Sequence, residues 1–306
     1  MNDYNILQKR LCEDGYILIR NFIKTDHAES IRKSISLKLW NKSNYSSSII
    51  PGDDPRTSSN YNSAYSLECV HQLWHSSRIK TFFEKLFKEE VLMHPKIVLR
   101  NSYKGAFTPA HQDWPQIQGS KDTLSIWIAL NDIKKNSGLL EIAEKSHKDG
   151  VRNHIPHAIT GGMMLDESKF KWLSTNMKAG DAIIFSCLTV HKTEKNTSEK
   201  VRQSIDTRFQ KRSSPLCINN LDPFINDKWE NIYKSWKDNT YSWYWKDWIL
   251  NEEKYDPYYE INNAMKIIQN FNINKDIWNP ALQKVNARSS SKYIRDISSN
   301  LLNSND

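Results

Sequence analysis

The chain has 306 residues, of which 38% are hydrophobic and 25% are charged, and its formal net charge is +8. This composition is typical of globular proteins and allows a full core in one large domain or two small ones. It contains no run of about 18 apolar residues, no secretory-type N-terminal stretch and no CxxC pair among its four cysteines, so we expect a cytoplasmic protein without a membrane span, structural zinc or a disulfide framework.

The N-terminal segment predicts a strand, a helix, a loop and a second helix. Tyr16 to Phe22 is a short apolar run after Gly15, and Asp26 with Glu29 resembles a helix-starting capping box. Residues 42–66 are rich in Ser, Asn, Pro and Gly, which predicts a long loop and a candidate lid. Apolar residues at helical spacing support one helix after residue 26 and a second over residues 76–90. They are Ala28, Ile31, Ile35 and Leu39 in the first, and Ile79, Phe82, Phe83, Leu86 and Phe87 in the second.

From Val91 to about residue 211 the sequence changes to short β-rich runs separated by Gly, Asn, Asp and Ser. Several such runs in series indicate an antiparallel sandwich or jelly roll and not alternating βαβ units. We therefore predict a mainly β protein with flanking helices, with a jelly-roll domain over residues 1–214.

Residues 215–306 are rich in Trp and Tyr. Aromatic spacing predicts two short helices, over 229–236 and 241–248, and a third near 260–271, whereas we expect the last 18 residues to fray. We interpret this part as a helical extension packed on the same domain. It carries a net charge of −1, against +9 for the first 220 residues. That charge argues against stacking of its aromatic residues on nucleic acid.

Three residues could form a metal site. Residues i and i+2 of a strand point to the same face, so His111 and Asp113 could aim at one point. His191 follows the apolar run 182–187 and could supply the third ligand. Two imidazoles and one carboxylate with an open face are the ligand set of non-heme iron(II) oxygenases.

The segment after His191 adds a candidate anion-binding residue. If a hairpin turns near residues 196–197, Arg202 lies opposite His191, and Ser204 shares the face of Arg202. An arginine beside the metal can bind a carboxylate through two parallel hydrogen bonds. This is what a dicarboxylate co-substrate such as 2-oxoglutarate requires.

These motifs together resemble the phytanoyl-CoA dioxygenase family of iron(II)/2-oxoglutarate oxygenases. The matching features are HQD at 111–113, LSIWIALND at 124–132, SGLLEIAEKSHKDG at 137–150, GDAIIF at 180–185, His191 and Arg202. The resemblance covers roughly residues 10–212. This chain departs from the family by having Glu144-Lys145 before Ser146-His147, where members tend to carry Pro-Gly.

The resemblance implies a double-stranded β-helix of the cupin-like jelly-roll type. It implies iron(II) at His111, Asp113 and His191, with 2-oxoglutarate and O₂ as co-substrates. It also places Gln112 and Trp127 along the cofactor pocket, although core packing would equally explain Trp127. Because the carboxylate of Asp113 is present, hydroxylation of a C–H bond is favoured over halogenation.

The substrate is less constrained by the sequence. The candidate lid at 42–66 and the segment NHIPHAITGGMM at 153–164 are polar, which favours a small polar metabolite such as a sugar or amino-acid derivative. Alternatives are an acyl-CoA, a nucleic acid or a non-catalytic jelly-roll binding module. His147, His154 and His157 could face substrate or serve surface and turn roles. The sequence does not indicate an oligomeric state.

Overall fold

A computed structural model of the chain describes residues 3–40, 66–159, 161–223, 228–289 and 291–304. The candidate lid at 42–66 therefore lies outside the described residues, except for Ser66. The helices are α1 Tyr4–Asp14, α2 Thr25–Trp40, α3 Glu68–Trp74, α4 Ser77–Phe87, α5 Trp114–Ile117, α6 Trp229–Tyr233, α7 Tyr258–Ile273, α8 Lys275–Arg288 and α9 Lys292–Asn303. Among the described residues, no helix is both long and apolar enough to cross a membrane.

Fourteen short strands occur in the described part of the chain. They are β1 Tyr16–Ile19, β2 Val91–Met93, β3 Val98–Ser102, β4 Thr108–His111, β5 Leu124–Ala129, β6 Leu140–Ala143, β7 Ile155–Pro156, β8 Met163–Met164, β9 Trp172–Leu173, β10 Ala182–Ser186, β11 His191–Thr193, β12 Arg202–Lys211, β13 Leu216–Cys217 and β14 Glu252–Glu253. The larger sheet has the order β1-β10-β5-β12-β2, with β3 also on β12, and the smaller sheet has the order β4-β11-β6-β9. All pairs within these two sheets are antiparallel. This is the predicted double-stranded β-helix.

The central strands of the larger sheet are buried on both faces, and their side chains alternate between two cores. In β5, Ile126 and Ile128 belong to the main hydrophobic cluster beneath the helices, whereas Trp127 and Ala129 belong to the cluster between the two sheets. The same alternation along β12 places Ile205 under the helices. It sends the even-numbered side chains of β12 towards the inter-sheet space, where the candidate site lies.

The N-terminal helices cover the outer face of the larger sheet, as the apolar spacing predicts. Ala28, Ile31, Ile35 and Leu39 of α2 are buried, and so are Ile79, Phe82, Phe83 and Leu86 of α4. Helix α1 ends at Gly15, whose φ of +84° and N–H bond to the Leu11 carbonyl form a left-handed C-cap. The following strand β1 is shorter than the predicted 16–22 and ends at Ile19.

The C-terminal part differs from the prediction in two places. Only the first of the two short aromatic helices forms, as α6, because residues 240–247 adopt turns. Their rings pack on the main cluster all the same. The predicted fraying of the last 18 residues is wrong, since α9 spans twelve of them and buries Ile294 against α7 and α8. The division of the chain at residue 214 stays a prediction.

Candidate metal centre

Two histidines face each other across neighbouring strands of the smaller sheet. His191 on β11 is paired in register with His111 at the end of β4, and their ring centroids are 4.2 Å apart. Each ring uses Nδ1 to bond the carbonyl two residues earlier, at 2.8 Å to Pro109 and 3.0 Å to Thr189. A carbonyl accepts only, so Nδ1 carries the proton and Nε2 is left as a lone-pair donor for a metal.

Asp113 completes the cluster, but it lies at the start of a helix and not on the strand that we predicted. Strand β4 ends at His111, and Asp113 already has helical backbone angles at the start of α5. Its N–H and that of Trp114 both bond the Cys187 carbonyl, which ties the turn to the end of β10. The Oδ1 atom lies 3.9 Å from Nε2 of His111 and 3.8 Å from Nε2 of His191. The three ligand atoms lie within 4.8 Å of one another, as one metal ion requires.

The electrostatics keep all three side chains in the form that a metal needs. Burial, and then the neighbouring His191, lowers the pKa of His111 to about 3, and burial also lowers the pKa of His191. Burial alone would raise the pKa of Asp113, but Arg208 and the two imidazoles outweigh burial and hold that pKa below its usual range. At neutral pH the site therefore presents two neutral imidazoles and one carboxylate.

A buried network that the sequence reasoning missed orients the carboxylate. Oδ2 of Asp113 accepts bonds from Ser125 at 2.5 Å and from Arg208 at 2.9 Å. Arg208 also bridges to Asp206 at 3.1 Å, and Asp206 binds Arg100 at 2.7 Å. The sequence could have indicated only part of this network, because residues 202, 204, 206 and 208 alternate along one strand and share a face.

The inferred hairpin between His191 and Arg202 is wrong. Strand β11 pairs with β4 and β6, whereas β12 pairs with β5, β3 and β2 in the other sheet. Arg202 nevertheless faces the inter-sheet space and is 2% exposed. Its Nε donates to the Gly138 carbonyl at 3.2 Å, and its Nη1 donates to Ser204 at 2.9 Å. Its guanidinium carbon lies 5.6 Å from the ring centroid of Trp127.

A narrow cavity of about 10 Å³ lies between the metal ligands and Trp127. The three ligands line it together with Arg100, Thr108, Trp127, Leu140, Phe185, Lys192, Thr193 and Asp206. The indole Nε1 of Trp127 is buried and has no hydrogen-bond partner among the described residues. Such an orphaned donor is expected to meet a ligand acceptor or water. The lining thus combines the three candidate ligands with one unpartnered indole donor, and Arg202, held by Ser204, lies against the ring of that indole.

Gln112, which we predicted to line the cofactor pocket, forms its hydrogen bonds with the protein backbone. Its Nε2 donates to the carbonyls of Gly150 and Leu188, and its Oε1 accepts from the N–H of Arg152. Both amide hydrogens are therefore used. We interpret Gln112 as the residue that fixes the 150–152 segment beside the metal strand.

The three histidines left open by the sequence lie in different places. His147 bonds the Cys12 carbonyl of α1 at 3.0 Å. His157 stacks edge-on against Phe107. His154 is buried near His111, and burial is the main reason that its pKa falls to about 4. Of these three, His154 is therefore the candidate for a role near the metal.

Comparisons with known proteins agree with this geometry. A model of the family described as phytanoyl-CoA dioxygenase matches residues 11–204. The 1-deoxypentalenic acid 11-beta-hydroxylase of Streptomyces arenae is 33% identical over 175 residues, which are 50% of this chain and 60% of that protein. A phytanoyl-CoA dioxygenase domain-containing protein 1 homolog of Caenorhabditis elegans is 25% identical over 177 residues, 52% of this chain and 61% of that protein. The match thus spans less than two thirds of each relative.

Solved structures share the fold. The epimerase SnoN, in a complex with Fe³⁺, alpha ketoglutarate and nogalamycin RO, superposes with a TM-score of 0.52 at 17% identity, over 70% of this chain and 85% of that one. EctD from S. alaskensis gives a TM-score of 0.52 at 16% identity, over 75% of this chain and 82% of that one. At this level of identity the likeness concerns the fold.

Proposed function

The chain belongs to the phytanoyl-CoA dioxygenase family, and from that premise we propose that it is an iron(II)/2-oxoglutarate-dependent dioxygenase that hydroxylates a C–H bond of a small, polar metabolite. The observation that carries the proposal is the buried His111–Asp113–His191 cluster, whose ligand atoms converge within 4.8 Å. The name of the Streptomyces relative, a hydroxylase, supports the reaction type.

Each residue of the site has a defined task in this proposal. His111, Asp113 and His191 would hold the iron, and Arg202 would bind the distal carboxylate of 2-oxoglutarate, with Ser204 fixing its guanidinium. Trp127, Leu140 and Phe185 exclude water from the cavity between them. When bound, iron and 2-oxoglutarate would supply the activation of O₂ that oxidises a C–H bond, with succinate and CO₂ as co-products.

The preference for a polar substrate rests on the segment beside the metal. His154 lies close enough to His111 for the two side chains to interact electrostatically, and the 153–164 stretch contains three His and Asn side chains that can form hydrogen bonds. No comparable run of aliphatic residues is present in this stretch. The assay must distinguish this proposal from three alternatives: an acyl-CoA substrate, a nucleic-acid substrate and a non-catalytic binding role.

The test is succinate formation from 2-oxoglutarate in the presence of iron(II) and O₂. We expect uncoupled succinate formation by the wild type, its loss in His191→Ala and its retention in His27→Ala, which changes an exposed residue of α2. A substrate panel with mass analysis should then show a gain of one oxygen atom. Absence of succinate with the wild type, or unchanged formation with His191→Ala, would refute the proposal.

A further inference from the structure

A second cavity, of about 270 Å³, lies between the β7–β8 hairpin and the C-terminal helices. Residues Gly161 to Met163 of the hairpin form one wall, and side chains of α7 and α8 form the opposite wall. The family match ends at residue 204. The second wall of this cavity is therefore contributed by a part of the chain that the family model does not include.

The cavity reaches α5, the short helix that begins next to Asp113. Gln116 is part of its lining, and the N–H of Gln116 bonds the carbonyl of the metal ligand Asp113 at 3.0 Å. The two residues are thus one helical turn apart, about 5 Å along the axis of α5. A molecule in this cavity would contact the helix that begins at Asp113.

Side chains of the C-terminal helices hold the hairpin in place. Asn263 of α7 donates to the Gly161 carbonyl at 2.9 Å, and Lys284 of α8 donates to the Ile159 carbonyl at 2.9 Å. Lys266 of α7 bonds the His154 carbonyl at 3.1 Å. The cavity is therefore built by specific contacts and is not a gap between independent surfaces.

The lining contains two strong hydrogen-bond acceptors, the amide oxygen of Asn263 and the carboxylate of Glu260. The Gly161 carbonyl can only accept, so the amide nitrogen of Asn263 must face it. This fixes Oδ1 of Asn263, which is buried without a hydrogen-bond partner among the described residues. Glu260 adds a carboxylate, which accepts a bond from Ser289 at 3.0 Å. A buried acceptor without a partner is uncommon in native proteins and is satisfied when a ligand donates to it.

We propose that this cavity is the substrate pocket and that it binds a small molecule through a head group rich in hydrogen-bond donors, hydroxyl or ammonium, held by Oδ1 of Asn263 and the carboxylate of Glu260. The assignment of the ligand as substrate rests on the proposed dioxygenase function. Binding of the donor-rich head group does not depend on that function, because it requires neither iron nor 2-oxoglutarate.

The test is ligand-observed NMR on the full chain without iron or 2-oxoglutarate. The probes are glucose and myo-inositol as neutral polyols, lysine as an ammonium compound, and decanoate as an apolar chain without a donor head group. We expect the polyols or lysine to bind the wild type, and the class that binds identifies the source of the donors. Asn263→Leu should weaken that binding about tenfold, the effect of losing one good hydrogen bond.

Two further variants keep the outcome interpretable. Gln269→Leu makes the same kind of change at an exposed position of α7 and should bind like the wild type. Met163→Trp fills the cavity and leaves Asn263 intact, so it should abolish binding, a larger loss than that of Asn263→Leu. Binding of decanoate alone, binding of no probe, or equal binding by the wild type and both cavity variants would overturn the proposal. If probes bind but succinate never forms, the pocket stands and the dioxygenase function fails.

Discussion

Replacing Arg202 with lysine should weaken the binding of 2-oxoglutarate and leave the fold intact. The structure holds the guanidinium before any ligand arrives, through bonds to the Gly138 carbonyl and to Ser204 and through the face of Trp127. Lysine keeps the positive charge but lacks the planar fork that binds a carboxylate through two parallel bonds. The variant therefore loses one of two charge-assisted bonds and also the preorganisation.

The size of the loss in affinity follows from the loss of one hydrogen bond. One hydrogen bond to a charged group contributes about 1.5–3 kcal/mol, which corresponds to about 10- to 100-fold in affinity. Ser204→Ala removes one anchor of the guanidinium and should cost less, about fivefold, in the same direction.

Isothermal titration calorimetry with 2-oxoglutarate measures these changes directly, with succinate kinetics as a second readout. Arg212→Lys is the matched control, because Arg212 lies just beyond the other end of β12 and pairs with Glu90 near the surface. We expect its affinity for 2-oxoglutarate to equal that of the wild type. An Arg202→Lys variant with wild-type affinity would refute the assignment of Arg202 as the carboxylate-binding residue.

Three further predictions concern the supporting structure and are measured by urea unfolding. Arg208→Met removes the charged partner of buried Asp113 and should lower the free energy of unfolding of the metal-free protein by about 3–5 kcal/mol; a loss below about 1 kcal/mol would contradict a buried ion pair. Gly15→Ala should cost about 2–4 kcal/mol, because φ is +84° and the new Cβ would lie 2.4 Å from a histidine ring. Gly105→Ala has similar φ and open space and should cost only about 1 kcal/mol, so equal losses would count against the packing argument. Burial lowers the pKa of His94 to about 4, so the unfolded state binds more protons between pH 4 and 6.5 and stability should fall as the pH drops through that window. Because His111 and His154 act in the same direction, His94→Gln should reduce this dependence without abolishing it, and an unchanged pH profile would contradict the prediction.

Local patterns in the sequence predicted much of the fold. Spacing of three and four residues identified α2 and α4, because each helix buries one apolar stripe against the larger sheet. The short β-rich runs identified the jelly roll, since each run became at least one strand of an antiparallel sheet. The ligands His111, Asp113 and His191 were identified by type and order, and the structure brings them together.

What the sequence could not provide is the pairing of distant strands. The hairpin estimate for Arg202 assumed that consecutive strands are neighbours, but in this fold β11 and β12 enter opposite sheets. The Asp113–Arg208–Ser125 contact depends on the β12–β5 register, which pairs Arg208 with Ser125. No local pattern contains that register.

The end of the chain shows a second limit. Its terminal position suggested fraying, whereas Ser291 caps α9 and Ile294 is buried among the C-terminal helices. The stability of this helix comes from tertiary packing, which propensity alone does not reveal.

The central claim is that one iron ion binds at His111, Asp113 and His191. Calorimetric titration of the metal-free protein with iron(II) under anaerobic conditions tests it most directly. We expect one equivalent of iron(II) bound by the wild type and by His27→Ala. We expect no binding by His111→Ala or Asp113→Ala at the same iron concentrations. Absence of binding by the wild type, or undiminished one-to-one binding by the two ligand variants, would contradict it.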